Sequence, residues 1–156
     1  FLPLILAEVP LLVFGVDFVN AGLALSLLVF AVAVGVSEEL YFRGIIFKLL
    51  KDSFPIRKAI IISAIIFGMG HMAAILASGD MIGVILQILN AVVFGVIAVE
   101  MLILTKSLLP IAIWHTLYNY VNHIDLTSGI NHIIAICMQE VIMIAYMVYL
   151  WRQIRK

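Results

Sequence analysis

Two adjacent carboxylates and an arginine lie within residues 37–43, inside a chain that is otherwise almost entirely apolar. On a helix, Glu39 and Arg43 are i,i+4 neighbours on one face, whereas Glu38 points about 100° away from Glu39. We therefore expect Arg43 to be the counter-ion of Glu39, and Glu38 to be free to face a reactant. Ionisable groups inside a membrane are costly and usually mark function, so we place the chemistry in this stretch.

Three further polar residues lie inside apolar segments, namely His71, His115 and Asn119. His115 and Asn119 are four residues apart, so they project from the same face of a helix. Counted at about 1.5 Å per residue from the basic ends of their segments, these side chains and Glu38 lie about 11–20 Å deep. The four groups are therefore expected to share one layer of the membrane and to line a buried polar pocket.

This combination of side chains suits hydrolysis of an amide bond. A carboxylate and an imidazole that hold a water molecule between them can take a proton from it. A second imidazole and an amide can donate hydrogen bonds to the oxyanion that forms when the water attacks a carbonyl. A zinc site also remains open at this point, because His71, His115 and one glutamate are a suitable ligand set for a catalytic zinc ion.

The composition places these residues in a membrane protein. Hydrophobic residues make up 65% of the 156 residues, charged residues make up 12%, and the mean hydropathy is +1.25. Soluble domains are far less apolar and about twice as rich in charge, so the chain is expected to be polytopic, with membrane lipid around it. Its formal net charge of zero gives no reason to expect a nucleic-acid partner.

The elements that must position the polar residues are helices. Six apolar segments are separated by polar or proline-containing breaks: 1–16, 21–50, 59–78, 81–105, 108–122 and 133–151. Pro3, Glu8 and Pro10 interrupt the first segment, which is therefore expected to be a short, kinked or incomplete span. We predict an all-α fold, a polytopic transmembrane helical bundle of about five to six spans with the active site within the membrane.

Lysine and arginine give the expected orientation. Basic residues occur in the predicted loop 51–58, at Lys106 and at the C-terminus, but not in the predicted connections 17–20, 78–80 and 123–132. By the positive-inside rule, the first set of connections and the C-terminus are cytoplasmic. Glu100 is expected to reach the same interface beside Lys106 by extending its side chain.

Three motifs, in this order, resemble a known family: Glu-Glu-x-x-x-Arg at 38–43, Phe-x-x-x-His at 67–71 and His-x-x-x-Asn at 115–119. Each is weak alone, but together they resemble the CPBP family, the CAAX-protease and bacteriocin-processing membrane enzymes, also called the Abi family. The motifs cover about half of the chain. The sequence starts at Phe1 without a Met, which is compatible with a single transmembrane protease domain over 1–156 that lacks N-terminal helices.

The resemblance implies a helical intramembrane endopeptidase with assigned roles. Glu38 activates water together with His71, and His115 and Asn119 form the oxyanion site. The substrate is expected to be a peptide or protein in or at the membrane. A prenylated C-terminal tail, a bacteriocin leader and a signalling propeptide all remain open.

The same resemblance implies that Glu39 and Arg43 are a supporting pair. Members with this arrangement are glutamate-dependent, so no cofactor is expected to be required. Zinc bound by His71, His115 and Glu38 is the less favoured alternative. Two other functions are weighed against the protease, namely a catalytically inactive membrane scaffold or immunity protein of the same family and a proton-coupled transporter, for which no inverted repeat is present.

Overall fold

The computed structural model describes residues 2–13, 21–72, 81–124 and 129–154, and this part of the chain is almost entirely helical. Its α-helices are α1 (Leu2–Val13), α2 (Ala21–Glu39), α3 (Phe47–Ser53), α4 (Ile56–Met69), α5 (Met81–Thr105), α6 (Leu109–Ile124) and α7 (Gly129–Gln153). A π-helix (Leu40–Ile46) joins α2 to α3, and a 3-10 turn (Gly70–Met72) follows α4. No strand occurs among the described residues, which agrees with the predicted all-α fold.

The chain divides into two compact units, which are described separately. Unit 1 comprises Phe1–Glu39 and Ser107–Tyr146, and unit 2 comprises Leu40–Lys106 and Met147–Lys156. Unit 1 therefore contains α1, α2, α6 and the first part of α7. Unit 2 contains the π-helix, α3, α4, α5 and the last turns of α7.

In unit 1, α6 packs against both α1 and α2. The buried face of α2 repeats every four residues and consists of Ala31, Gly35 and Glu39. Small residues at this spacing let two helix backbones approach closely, which is a common way of packing helices in membranes. A small apolar core formed by Leu11, Val121 and Ala135 joins α1, α6 and α7.

In unit 2, α4 and α5 form the main helix pair. Gly95 on α5 lies so close to α4 that an added Cβ would stand 2.9 Å from the Cα of Ala64. The apolar core of this unit includes Phe47, Ile60 and Val99, together with Ile154 just after α7. The helix ends follow from the local sequence. Phe54 is extended because Pro55 follows it, which ends α3. Lys106, with a positive φ of 58°, follows the end of α5.

Three helical segments are long and apolar enough to cross a membrane: Gly22–Ser53, Gly83–Thr105 and Ile130–Gln153. The first runs through α2, the π-helix and α3, and at about 1.5 Å per residue its 32 residues extend beyond a ~30 Å hydrocarbon core. The helix α1 is apolar but shorter. The predicted long helix at 21–50 and the predicted span at 81–105 are confirmed, whereas a total of five to six spans stays a prediction.

Three expectations from the sequence are wrong in detail. The 51–58 loop is shorter than predicted, since α3 continues to Ser53 and α4 begins at Ile56. The polar connection at 123–132 is partly helical, because α6 ends at Ile124 and α7 begins at Gly129. Glu100 does not reach an interface, for it is fully buried. The predicted turns at 17–20 and 78–80 lie outside the described residues.

Candidate active site

A buried pair of side chains from two helices is the centre of the site in unit 1. Nδ1 of His115 on α6 donates a hydrogen bond to Oε1 of Glu39 at the end of α2, over 2.8 Å. Both side chains are almost fully buried, at 5% and 1% exposure. A carboxylate can only accept, so His115 carries a proton on Nδ1 and presents its other ring nitrogen, Nε2, to the remaining site.

Glycine makes this contact between α2 and α6 possible. A Cβ at Gly35 would stand 2.8 Å from Oγ1 and 2.9 Å from the backbone N of Thr116. Gly35 precedes Glu39 by one helical turn, and Thr116 directly follows His115. The close approach of the two backbones therefore sets the spacing that lets the Glu39 carboxylate reach the imidazole.

Glu38 lies on the other side of the imidazole. Its Oε2 is 3.7 Å from Nε2 of His115, and its side chain is 33% exposed. That separation is too long for a direct hydrogen bond, but a single oxygen atom can lie within hydrogen-bonding distance of both groups. The two adjacent glutamates therefore differ in exposure, with Glu39 buried and Glu38 accessible.

Asn119 lies one turn after His115 on α6 and is half-buried. Within the described residues its amide makes no hydrogen bond, unlike Asn122, whose Nδ2 donates to the carbonyl of Tyr118 over 2.8 Å. The Asn119 amide is thus available as a donor on the same helix as His115.

In unit 2, the π-helix follows the two glutamates directly and carries Arg43. Arg43 is 2% exposed, and its guanidinium carbon lies 4.2 Å from the ring centroid of Phe67 and 5.8 Å from that of Phe94. Such stacking stabilises a buried cation through the negative faces of the rings. Residues 40–46 form a π turn, which is wider than the regular α-helix assumed for the spacing of Glu39 and Arg43, and their role as a supporting pair stays a prediction.

His71 also belongs to unit 2, where the 3-10 turn after α4 holds it. Its Nδ1 donates to the backbone carbonyl of Phe67 over 3.2 Å, and its ring meets the Phe67 ring edge-on at 5.3 Å between centroids. Because the carbonyl can only accept, Nε2 of His71 carries the lone pair. The Phe-x-x-x-His motif thereby fixes the tautomer of its own histidine.

The structure therefore brings together Glu38, Glu39 and His115 in unit 1, with Asn119 one turn away, and describes His71 and Arg43 in unit 2. The contact of Glu39 with His115 is not found by the sequence analysis, which pairs Glu39 with Arg43. Its only signal is the matching depth of the two motifs. The catalytic and supporting roles themselves stay predictions.

For a metal ion, the described residues contain no group of three His, Cys, Asp or Glu side chains arranged as ligands. Zinc bound by Glu38, His71 and His115 stays the less favoured prediction from the sequence.

Comparison with known proteins identifies the family. The family model of the Rce1-like type II CAAX prenyl endopeptidases matches residues 20–121, more than half of the chain and all three motifs. No curated protein and no solved structure matches it. The match and the three apolar helices together show an integral membrane protein of the family that the motifs resemble. The chain therefore belongs to the Rce1-like family of type II CAAX prenyl endopeptidases.

Proposed function

We propose that the chain is an intramembrane endopeptidase that hydrolyses a peptide bond of a membrane-associated or lipidated substrate. Glu38 and His71 activate the attacking water, and His115 and Asn119 stabilise the oxyanion. The observation that carries this proposal is the position of His115 between an accessible and a buried glutamate. Its family, named for CAAX prenyl endopeptidases, supports the same reaction class.

In the proposed reaction, Glu38 takes a proton from water while the water oxygen attacks the carbonyl carbon of the scissile bond. The carbonyl oxygen becomes an oxyanion and accepts hydrogen bonds from Nε2–H of His115 and the amide of Asn119. Glu38 then returns its proton to the departing amine as the C–N bond breaks, so it acts first as a base and then as an acid. The products are a carboxylic acid and a free amine.

Glu39 has a positioning role in this scheme. His115 must present Nε2 with a hydrogen in order to donate to the oxyanion, and Nδ1 is already committed to Glu39. When both ring nitrogens are protonated, the buried Glu39 carboxylate balances the positive charge of the imidazolium. Glu39 therefore holds the ring in one orientation and supplies the charge that its reactive form needs.

As the substrate class we propose a prenylated C-terminal CAAX sequence, which the family match supports. The test compares membranes from cells that express the wild-type chain or Glu38→Gln at matched levels, with peptide termini identified by mass spectrometry. A purified farnesylated CAAX peptide is tested in parallel. Asp52→Asn, which changes an exposed carboxylate in unit 2, is the matched control.

New peptide termini that appear with the wild type and Asp52→Asn, but not with Glu38→Gln, would establish the protease and reveal its cleavage sequence. New termini within a bacteriocin leader or a signalling propeptide would instead identify that peptide as the substrate class and contradict the prenylated one. If wild type and Glu38→Gln give identical termini while both are folded, the endopeptidase is contradicted and the inactive scaffold of the same family takes its place.

We further propose a glutamate-dependent mechanism that needs no bound metal. Preincubation of the purified protein with EDTA is expected to leave the rate of peptide cleavage unchanged, because the base is a carboxylate. Loss of cleavage on chelation, with recovery on addition of Zn²⁺, would favour zinc bound by Glu38, His71 and His115.

The C-terminus is proposed to face the cytoplasm. All nine lysine and arginine residues belong to unit 2, which contains the end of α7. Exposed basic residues at Lys48, Arg57 and Arg152 support this orientation by the positive-inside rule. A C-terminal fusion that is active only in the cytoplasm tests it, and activity of a periplasmic or lumenal reporter at the same position would contradict it.

A further inference from the structure

A second buried polar cluster in unit 1 joins α1, α6 and α7. Nε2 of Gln139 on α7 donates a hydrogen bond to Oε2 of Glu8 on α1 over 3.0 Å. Trp114 on α6 also interacts with the Glu8 carboxylate, with a looser geometry than that of a regular hydrogen bond. Glu8, Trp114 and Gln139 are 5%, 1% and 1% exposed, so the cluster is sealed inside the unit.

The proposed reaction does not use this cluster. Glu8 and Gln139 lie before and after residues 20–121, the segment that the family model matches. A buried carboxylate is expensive, and apolar side chains of similar volume would hold α1 and α7 together at least as well. The hydrogen bond between Glu8 and Gln139 differs from apolar contacts in being directional. It fixes the orientation of the two helices, whereas apolar packing tolerates small rotations.

The part of the molecule that such directional contacts orient is α6. Trp114 and His115 are consecutive, so their side chains point about 100° apart around the helix axis. Trp114 meets Glu8 of α1, whereas His115 meets Glu39 of α2. The rotation of α6 about its own axis is therefore held from two sides, and that rotation decides where Nε2 of His115 points.

We propose that Glu8 and Gln139 are positioning residues for His115, acting through Trp114. The inference rests on the proposed role of His115 as an oxyanion donor. Oxyanion donors must be placed to within a fraction of an ångström, so a small rotation of α6 is expected to lower kcat while substrate binding is largely retained.

Two double variants and one spectroscopic readout test the proposal in the full chain. Glu8→Leu/Gln139→Leu replaces the polar pair by apolar packing, and Glu8→Gln/Gln139→Glu restores the same groups on exchanged helices. Cys137→Ala, an exposed change on α7, is the control. Each protein is assayed for kcat and KM on a peptide that the wild type cleaves, and its four histidines are observed by ¹⁵N NMR in lipid nanodiscs.

The leucine pair is expected to fold, to lose about tenfold in kcat with KM changed less than about twofold, and to shift the His115 ring signals. The exchanged pair is expected to recover kcat to within about threefold of wild type and to return the His115 signals. If the leucine pair does not fold, Trp114→Phe removes the indole N–H and part of the ring while keeping an aromatic side chain, and the same split between kcat and KM is expected.

A leucine pair with wild-type kcat and unshifted His115 signals would reduce the cluster to a structural contact and overturn the proposal. An exchanged pair that folds but recovers neither kcat nor the His115 signals would do the same. The NMR readout needs no substrate, so it tests the positioning role even if the chain cleaves nothing. In that case the comparison of wild type with Glu38→Gln would separately contradict the proposed function.

Discussion

The two units of this protein surround their buried charged side chains with different groups. Unit 1 contains six of the nine acidic residues and no lysine or arginine, whereas unit 2 contains every lysine and arginine. The buried carboxylates of unit 1 meet a histidine and an amide, as in Glu39 with His115 and Glu8 with Gln139. In unit 2, the buried guanidinium of Arg43 stacks on the rings of Phe67 and Phe94, and the Glu100 carboxylate is buried as well.

The two contacts differ in whether their groups can exchange a proton. Arginine stays protonated in proteins, so Arg43 can hold the π-helix against Phe67 but cannot exchange a proton during a reaction. Histidine and glutamate both exchange protons under ordinary conditions. The hydrogen bond between Glu39 and His115 in unit 1 therefore joins two groups that can change protonation state, as the proposed hydrolysis requires.

The largest expected loss of stability comes from unit 2. Arg43→Ala removes the stacking on Phe67 and Phe94 and leaves a cavity, so the free energy of unfolding is expected to fall by about 3 kcal/mol. Arg43→Lys keeps the charge but loses the planar contact, and about half of that loss is expected to remain. Chemical unfolding in mild detergent measures the stability of both variants. Equal stability of Arg43→Ala and wild type would contradict a stabilising role for the stacking of Arg43.

The next largest effect is expected for Gly35→Ala in unit 1, which lowers both stability and activity. Gly35→Ala places a methyl group against the backbone of Thr116, so α2 and α6 must separate at a cost of about 2 kcal/mol. The Glu39–His115 contact is then strained, and kcat is expected to fall by about 100-fold because catalytic groups tolerate little displacement.

Gly70→Ala is the matched glycine control for stability, because a Cβ there meets only Phe42 at an ordinary 3.6 Å. Its free energy of unfolding is expected to stay close to that of wild type. If Gly35→Ala unfolds no more easily than Gly70→Ala, the close approach of α2 and α6 is not what positions the site.

The smallest expected effect is an increase in the free energy of unfolding, caused by a change at Glu100. Glu100 is fully buried in α5, and neither of its carboxylate oxygens has a hydrogen-bond partner among the described residues. Glu100→Leu removes this unsatisfied group, so the free energy of unfolding is expected to rise by about 1 kcal/mol with cleavage unchanged. Loss of cleavage in a folded Glu100→Leu protein would show that unit 2 also carries a reactive carboxylate.

The sequence predicts much of this molecule because its signals are local. The apolar run at 81–105 has clear ends, and α5 has the predicted bounds. The residues of each motif are spaced as on one helix, and the 100° separation of Glu38 and Glu39 predicts that only one of them can face a given neighbour.

What the sequence misses depends on contacts between helices. Spacing along one helix suggests Arg43 as a neighbour of Glu39. It cannot show that His115, which is 76 residues away, forms a hydrogen bond with the Glu39 carboxylate. The π-helix is missed for a similar reason, since residues 40–46 carry no local signal for a wider turn. The burial of Glu100 depends on packing between helices, which a single apolar run does not reveal.

The most direct test of the central claim is to measure cleavage and unfolding for Glu38→Gln and Glu39→Gln side by side. Glu38→Gln is expected to lose about 10³-fold in kcat with an unchanged unfolding midpoint, because it removes only the accessible base. Glu39→Gln is expected to lose activity and also about 1–2 kcal/mol of stability, because a buried charge-assisted hydrogen bond is weakened. Equal loss of stability in both variants, or full activity in a folded Glu38→Gln protein, would contradict this division between the two glutamates.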